Sequence, residues 1–321
     1  MTAVLVLPGL LWGALRAAGW QVDALAQLMV FTPYAALWSL LPLGLAVFQR
    51  HWPATALAAL ATVLLVACVL PRALPDRDRG LPDRDRGPRT GVEVHVMTAN
   101  MLAGGADPAT IVRLVRDHDV VVLALQEFTP TGQAGLTAAG LGTLLPYASL
   151  APPRSADPLD TTGSALYSRY PIDAPGVRLN EGGFQQAYGI VQIPGAGPLP
   201  AESAHALAPV TPATVGEWRV DLANQPVPDP AGPPRILLGD FNSTLDHPPF
   251  RALAGRGYRD AADAVGSGLK PTWGPYGIRP IRLLTIDHVL ADRRIGVTAV
   301  SVHDLPGSDH RAVLATLQIP G

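Results

Sequence analysis

The stretch Ile236-Leu237-Leu238-Gly239-Asp240-Phe241-Asn242, continuing as Ser243-Thr244-Leu245-Asp246-His247, decides how this chain folds. Residues 235–238, apolar after Arg235, read as a strand, and a carboxylate and an amide follow it closely. Alone, Gly-Asp-Phe-Asn is compatible with a simple turn, but the same pattern recurs along the chain. Val92, Val94 and Val96 alternate with polar neighbours at the period of a strand, and Asn100 follows them. Residues 120–125 form a continuous apolar run, as in a strand covered on both faces, and Gln126-Glu127 comes next. Asp287 lies within a run at 284–290, and Asp309-His310 precedes another at 312–317.

Between these runs the signals change to helix. Asp107-Pro108 supplies an N-cap and a proline at the first helical position, predicting a helix to about residue 117. Residues 212–223 read as a second helix, and 164–168 and 297–302 as further strands. Strands interleaved with helices predict an α/β domain. Pro198 and Pro200 predict that the strand leading to His205 is short.

Composition sets this domain apart from what precedes it. The chain has 321 residues, 48% hydrophobic and only 16% charged, where globular domains average about 25% charged. The deficit is local, because residues 1–71 carry only Arg16, Asp23 and Arg50. Three uncharged stretches, 1–15, 24–49 and 52–71, approach or reach the roughly 20 residues that cross a bilayer. They predict three transmembrane helices over 1–71, with Trp12, Trp20, Trp38 and Trp52 near segment ends, where indoles favour the interface. Leu-Pro-Asp-Arg-Asp-Arg-Gly occurs at 74–80 and again at 81–87, so residues 72–90 read as a solvated linker and 91–321 as the domain. From Gly91 onward 16 Lys and Arg stand against 21 Asp and Glu, a net of −5. That balance disfavours a dedicated nucleic-acid binder but permits a small phosphate ester held by a metal. Cys68 is the sole cysteine, which excludes an internal disulfide and a cysteine zinc site.

The ordered set of strand-end motifs resembles the endonuclease/exonuclease/phosphatase superfamily, which includes DNase I-like nucleases, sphingomyelinases and inositol-polyphosphate phosphatases. The stretches that carry the likeness are MTANML (97–102), ALQEF (124–128), GSALYSRYPI (163–172), SAHAL (203–207), GDFNSTLDH (239–247), TIDHVLA (285–291) and GSDHRAV (307–313). The resemblance implies a four-layer α/β sandwich of the DNase I-like kind, here preceded by a transmembrane helical segment. It implies Glu127, Asn100 and Asp309 as metal ligands, with Mg2+ or alternatively Mn2+ suited to such oxygen donors. It further implies that Asp240 activates water and Asn242 donates to the phosphoryl group. His310 then acts on the scissile phosphate, Asp287 orients His310, and His205 serves the leaving oxygen. Leu102, where several relatives carry a polar side chain, favours one metal ion over two.

Together these readings predict a membrane-tethered, metal-dependent phosphoesterase acting on a phosphorylated lipid or a polyprenyl-pyrophosphate-like substrate, with the bilayer as its partner. A membrane-attached nuclease and a catalytically inactive binding scaffold are the alternatives. Six arginines after the third stretch (Arg72, Arg77, Arg79, Arg84, Arg86, Arg89) argue for a cytoplasmic domain. The layout also resembles membrane-anchored bacterial members linked to glycopeptide resistance, and that likeness places the domain outside the cell membrane.

Overall fold

The computed structural model describes residues 2–20, 22–76, 91–274 and 281–321. Helices α1 (Thr2–Ala18), α2 (Ala26–Met29), α3 (Thr32–Trp38), α4 (Leu40–Phe48) and α5 (Trp52–Val69) come first. The domain then runs β1 (Val92–Asn100), α6 (Pro108–Asp117), β2 (Val122–Gln126), α7 (Pro130–Ala138), α8 (Leu141–Leu144), β3 (Tyr147–Ala151), β4 (Ser164–Ser168), β5 (Ile172–Leu179), β6 (Gln185–Ile193) and β7 (Gly197–His205). It closes with α9 (Pro212–Ala223), β8 (Ile236–Asp240), α10 (Pro248–Gly255), β9 (Tyr258–Asp260), α11 (Ala261–Ala264), β10 (Asp287–Asp292), β11 (Gly296–Asp304) and β12 (Arg311–Ile319).

Two six-stranded sheets, ordered β11-β12-β1-β2-β4-β3 and β5-β6-β7-β8-β10-β9, stack face to face. The alternation of side chains along a strand sorts each residue to a layer. Val94, Val96, Val122 and Ala124 of one sheet meet Leu199, Ala201, Ile236, Leu238 and Val289 of the other in a shared core. Met97, Ala99, Leu123 and Leu125 point the opposite way and pack on Ile111, Leu114 and Val115 of α6. Leu237 and Phe241 do the same with Val215, Trp218 and Leu222 of α9 and Phe250 of α10. Helix, sheet, sheet, helix is the expected four-layer sandwich.

Several local expectations need amendment. Helix α6 starts as predicted, with the Asp107 carboxylate accepting from the Thr110 N–H at 3.0 Å. The strand to His205 is not short: β7 pairs with β6 through Pro198 and Pro200. These prolines are tolerated because β7 pairs with β8 only from Ala201 onward, so before that point one edge has no ladder to interrupt.

The N-terminal helices invert the usual distribution of apolar residues. On α5 the inner face is Ala54, Ala58, Ala61 and Leu65, all buried, while Leu60 and Val63 are exposed. Gly9 and Gly13 on α1 let that helix approach closely, since a Cβ at Gly13 would lie 3.1 Å from Leu64. Outward side chains include Leu7, Leu11, Leu37, Trp38, Leu41, Phe48 and Trp52. Of the three expected spans, one continuous helix, Trp52–Ala73 with 22 residues, is long and apolar enough to cross a bilayer. The second stretch is broken, with Asp23–Met29 bent by 71° from Thr32–Phe48. The physical reason is docking: Ala26 packs into the cluster of Trp218, Leu237 and Phe250, so the first part lies on the domain while the rest departs from it. The first stretch forms an apolar helix of shorter length, Leu5–Ala18.

The beginning of the linker is not a solvated spacer. The Gly268 N–H donates to the Arg72 carbonyl at 3.1 Å, Pro75 bridges to Val265, and Asp76 lies 3.5 Å from Arg259. The remainder of the repeat, including Arg77, Arg79, Arg84, Arg86 and Arg89, falls outside the described residues.

Candidate active site

The site arises where the inner faces of the two sheets turn polar. Continuing the alternation that buries Val94 and Val96, β1 brings Thr98 and then Asn100 inward. Likewise β2 brings Gln126, β7 brings Ser203 and then His205, and β8 brings Asp240. A buried layer closes the apolar core: Thr98 Oγ1 donates to Gln126 Oε1 at 3.1 Å, and Gln126 Nε2 donates to Ser203 Oγ at 2.9 Å. One step further out lie Asn100, His205, Asp240 and Asp287, with Asp240 in register with both His205 and Asp287. All four are buried.

His310 and Asp287 form the tightest pair. The ring Nδ1 lies 3.0 Å from both Asp287 oxygens, and Nε2 is 3.6 Å from Asp240 Oδ2. Burial works against charge on this imidazole, but Asp287 and Asp240 outweigh it and lift its pKa to about 10. His310 is therefore an imidazolium at neutral pH, with Nδ1–H donated to Asp287 and Nε2–H turned toward Asp240. Asp240 itself is pushed up to about 7, by burial first and by Asp287, against the pull of His310. His205 behaves oppositely. Burial, then the nearby His310, depresses it to about 3, so it stays neutral. Its Nε2 is 3.8 Å from Asp240 Oδ2, its buried Nδ1 has no hydrogen-bond partner among the described residues, and Phe184 covers its ring at 4.2 Å.

The expected metal ligands lie on the other flank. Asn100 Nδ2 donates to Glu127 Oε1 and to Asp240 Oδ2, each at 3.1 Å, while its Oδ1 accepts from the Leu102 N–H at 2.9 Å. As placed, Asn100 orients two carboxylates, and its Oδ1, which accepts one hydrogen bond, keeps a second lone pair. Glu127 Oε2 accepts from the Ala103 N–H at 2.8 Å, and burial raises its pKa. Trp273 Nε1 donates to Asp309 Oδ2 at 3.0 Å, leaving Asp309 Oδ1 buried and, among the described residues, without a hydrogen bond. Among the described residues, the group with metal-ligand spacing is Asp240, Asp287 and His310, whose ligand atoms lie within 4.8 Å of one another. That set overlaps the residues expected to be catalytic, not the expected ligands, and its histidine Nδ1 already lies 3.0 Å from Asp287. The donor set fits a hard cation on either count. Glu127, Asp240, Asp287 and Asp309 are four acids balanced by one imidazolium, and a buried cluster with that excess of carboxylates calls for positive charge.

The backbone around the site is held in uncommon conformations. Leu102, Ala103, Glu127 and Asn242 all have left-handed φ, between 46° and 53°, at a cost on the order of 1–2 kcal/mol each. For Asn242 the gain is visible: its N–H donates to Asp240 Oδ1 at 2.8 Å and its Nδ2 to the Ala206 carbonyl at 2.9 Å. Three contributors were not visible as such in the sequence. Thr272 Oγ1 accepts from the Ile286 and Asp287 N–H groups, Ser308 Oγ donates to the Asn100 carbonyl and accepts from the His310 N–H, and Trp273 orients Asp309. Two further polar residues of the motif stretches, His288 and Arg169, are structural. His288 bridges Asp260 at 2.6 Å and the Ser243 carbonyl at 2.8 Å, and Arg169 braces the loop at Val120 and Asp119.

Residues 97–310, the span from the first motif to His310, match the Endonuclease/Exonuclease/phosphatase family. The chain belongs to that family. Its members hydrolyse phosphoester bonds, so the carboxylate–imidazolium arrangement described above is that of a phosphoester hydrolase family. Among solved structures, the chain is similar to an endonuclease/exonuclease/phosphatase from Beutenbergia cavernae DSM 12333, at 19% identity over 71% of this chain and 72% of that one, with a TM-score of 0.56. It is similar to a truncated Caenorhabditis elegans TDP2 at 17% identity, covering 71% and 98% of the two chains with a TM-score of 0.52. A family member from Bacteroides vulgatus matches at 14% identity over 71% and 99%, also with a TM-score of 0.52. At these identities the likeness speaks for the fold. A search of the curated proteins finds no match.

Proposed function

We infer that this family member is a membrane-anchored, divalent-metal-dependent phosphoesterase whose substrate is a phosphorylated lipid. The observation that carries the hydrolase reading is the meeting of Asp240, raised toward neutrality, with an imidazolium at His310 that Asp287 keeps charged. A group near pKa 7 is matched to taking a proton from water at physiological pH. Asp240 is the base in this reading, with its geometry fixed by the Asn242 N–H and Asn100 Nδ2. With substrate bound, His310 Nε2–H would turn from Asp240 to the phosphoryl oxygens, which the second hydrogen of Asn242 Nδ2 would also meet, and together they would stabilise the charge that grows there. Glu127 and Asp309 would hold the cation, Asp309 through its buried Oδ1. Mg2+ or Mn2+ would neutralise the phosphate and the leaving oxygen. Neutral His205 serves the leaving group only as a hydrogen-bond donor, since its ring carries no spare proton at neutral pH.

The anchor reading rests on the outward leucines and aromatics of α1, α3, α4 and α5, an apolar surface that water does not favour. In this reading Trp52–Ala73 crosses the bilayer of a bacterial cell and the shorter apolar helices pack beside it. Exposed Trp20 lies at the domain end of the bundle and exposed Trp52 at the far end, both suited to the interface. The domain then sits on the outer face; a reporter fused at residue 90 that is active only in the cytoplasm would overturn that orientation. The substrate test uses full-length protein in vesicles supplied with Mg2+. Release of inorganic phosphate from phosphatidic acid or a polyprenyl pyrophosphate in the bilayer, with plasmid DNA left uncut, is the expected result. Cutting of DNA with no lipid hydrolysis would favour the nuclease reading, in keeping with a relative, D. rerio TDP2, solved with a single-strand DNA product.

A further inference from the structure

The loop that carries the catalytic motif also carries a charged latch with no role in the chemistry above. Four residues after Asn242, the Asp246 carboxylate is fully buried, and two arginines from opposite ends of the N-terminal segment converge on it. Arg16, in the last turn of α1, donates from Nε to Asp246 Oδ1 and from Nη2 to the Leu245 carbonyl, both at 2.8 Å. Arg72, just beyond α5, donates from Nη1 to Asp246 Oδ2 at 2.8 Å and from Nη2 to Oδ1. Both guanidiniums are themselves buried. Arg251 closes the group from the domain side, with Nη1 donating to the Leu245 and Asp246 carbonyls. The carboxylate is thereby held below its usual pKa despite burial, through Arg72 and Arg16.

The next residue repeats the connection. His247 Nδ1 accepts from the Thr244 N–H at 3.0 Å, which leaves the hydrogen on Nε2 to be donated to the Ala26 carbonyl at 3.0 Å. Further contacts ring the same junction. Gln27 Nε2 donates to the Pro209 carbonyl at 3.1 Å, and Tyr34 Oη donates to the Leu283 carbonyl at 2.8 Å. Leu283 in turn pairs with Trp273, the residue that holds Asp309. The domain's exposed apolar side chains Val210, Leu269 and Ile281 neighbour these contact points in sequence.

A domain swinging on a flexible tether needs none of this. An ion cluster buried between two units has a strong preference for one relative arrangement, because any other leaves a charge without its partner. We propose that Asp246, clamped by Arg16 and Arg72, is a specificity-determining residue that fixes the catalytic site at one height and orientation beside the apolar helices. The site is then presented to phosphate groups at the surface of a lipid layer in preference to phosphates free in water. This deepens the phosphoesterase reading and rests on it for the choice of substrates, but the latch itself can be read independently.

The test uses full-length protein in phosphatidylcholine vesicles, on a Cys68→Ser background, with spin labels at Phe48→Cys and Leu179→Cys, both exposed positions. Inter-label distances are measured alongside hydrolysis of phosphatidic acid in the vesicle and of a soluble nitrophenyl phosphate ester. Wild type should give one narrow distance distribution and a fixed ratio of lipid to soluble rates. Asp246→Asn and Arg72→Gln should broaden the distribution and lower that ratio at least fivefold, with the soluble rate changed less than twofold. A distribution that stays narrow in Asp246→Asn, with the ratio unchanged, would overturn the latch. So would a parallel fall of both rates at an unchanged distance, which would make Asp246 a support of the catalytic loop only. Should the labelled wild type cleave neither ester, the hydrolase reading fails, while the distance comparison still decides the latch.

Discussion

Asp287 and Asp240 act on the same imidazole with different consequences, and this can be separated by pH. Activity that needs an ionised Asp240 and a protonated His310 should rise through about pH 7 and fall toward about pH 10. Asp287 leads the groups that raise His310, so Asp287→Asn should move the alkaline limb down toward neutrality while leaving the acid limb in place or lower. A pH–rate profile of the variant with an unmoved alkaline limb would contradict the assignment. The same pair predicts a stability effect of known sign. The folded-state pKa of His310 is raised, so its contribution to stability is complete below about pH 6.5 and is lost as pH rises through about 10. Thermal melts of wild type and His310→Ala should therefore converge at the alkaline end of the range. The residues of this site were legible in the sequence because each lies at or beside an apolar run. Their electrostatic roles were not, since burial decides them: nothing in Ser-Ala-His-Ala-Leu indicates that His205 is held neutral.

Strand β8 shows how the elements keep these groups in place. Gly239 sits between Leu238 and Asp240, where a Cβ would come within 1.8 Å of the Ala204 carbonyl oxygen on β7. Gly239→Ala must therefore push β7 from β8 and draw His205 away from Asp240. We expect a loss of at least about 1–3 kcal/mol of stability, in the range of overpacked cores, and a fall in kcat in the protein that remains folded. Denaturant unfolding with an unchanged midpoint would refute this. Inner strands such as β1, β2 and β8 could be read from the sequence because two covered faces leave a clean apolar record. Strands β3 and β5 could not. β5 has a register shift between Asp173 and Gly176 and mostly exposed side chains, so its alternation is lost, and β3 pairs only along one edge. The break between α2 and α3 was equally hidden, because an apolar run looks the same whether it crosses a bilayer or folds onto a protein surface.

At the scale of the whole molecule, the sequence divides cleanly into an apolar segment and a domain, but their union does not. Arg16 and Arg72 lie 230 and 174 residues from Asp246, and no local pattern links positions so distant. The outward-facing leucines and aromatics predict that the full-length protein remains in the membrane fraction after high-salt and alkaline washing; its appearance in the supernatant would contradict the anchor. The central claim is that this anchored domain hydrolyses phosphoesters through Asp240 and His310 with a divalent cation. It is tested most directly by one comparison of full-length protein in vesicles: phosphate release by wild type, Asp240→Asn and His310→Ala, with Mg2+, after chelation, and after Mg2+ is restored. We expect turnover by the wild type that disappears on chelation and returns with the metal, and rates at least about 100-fold lower in both variants with unchanged melting profiles. Equal rates in all three proteins, or a wild-type rate indifferent to chelation, would contradict it.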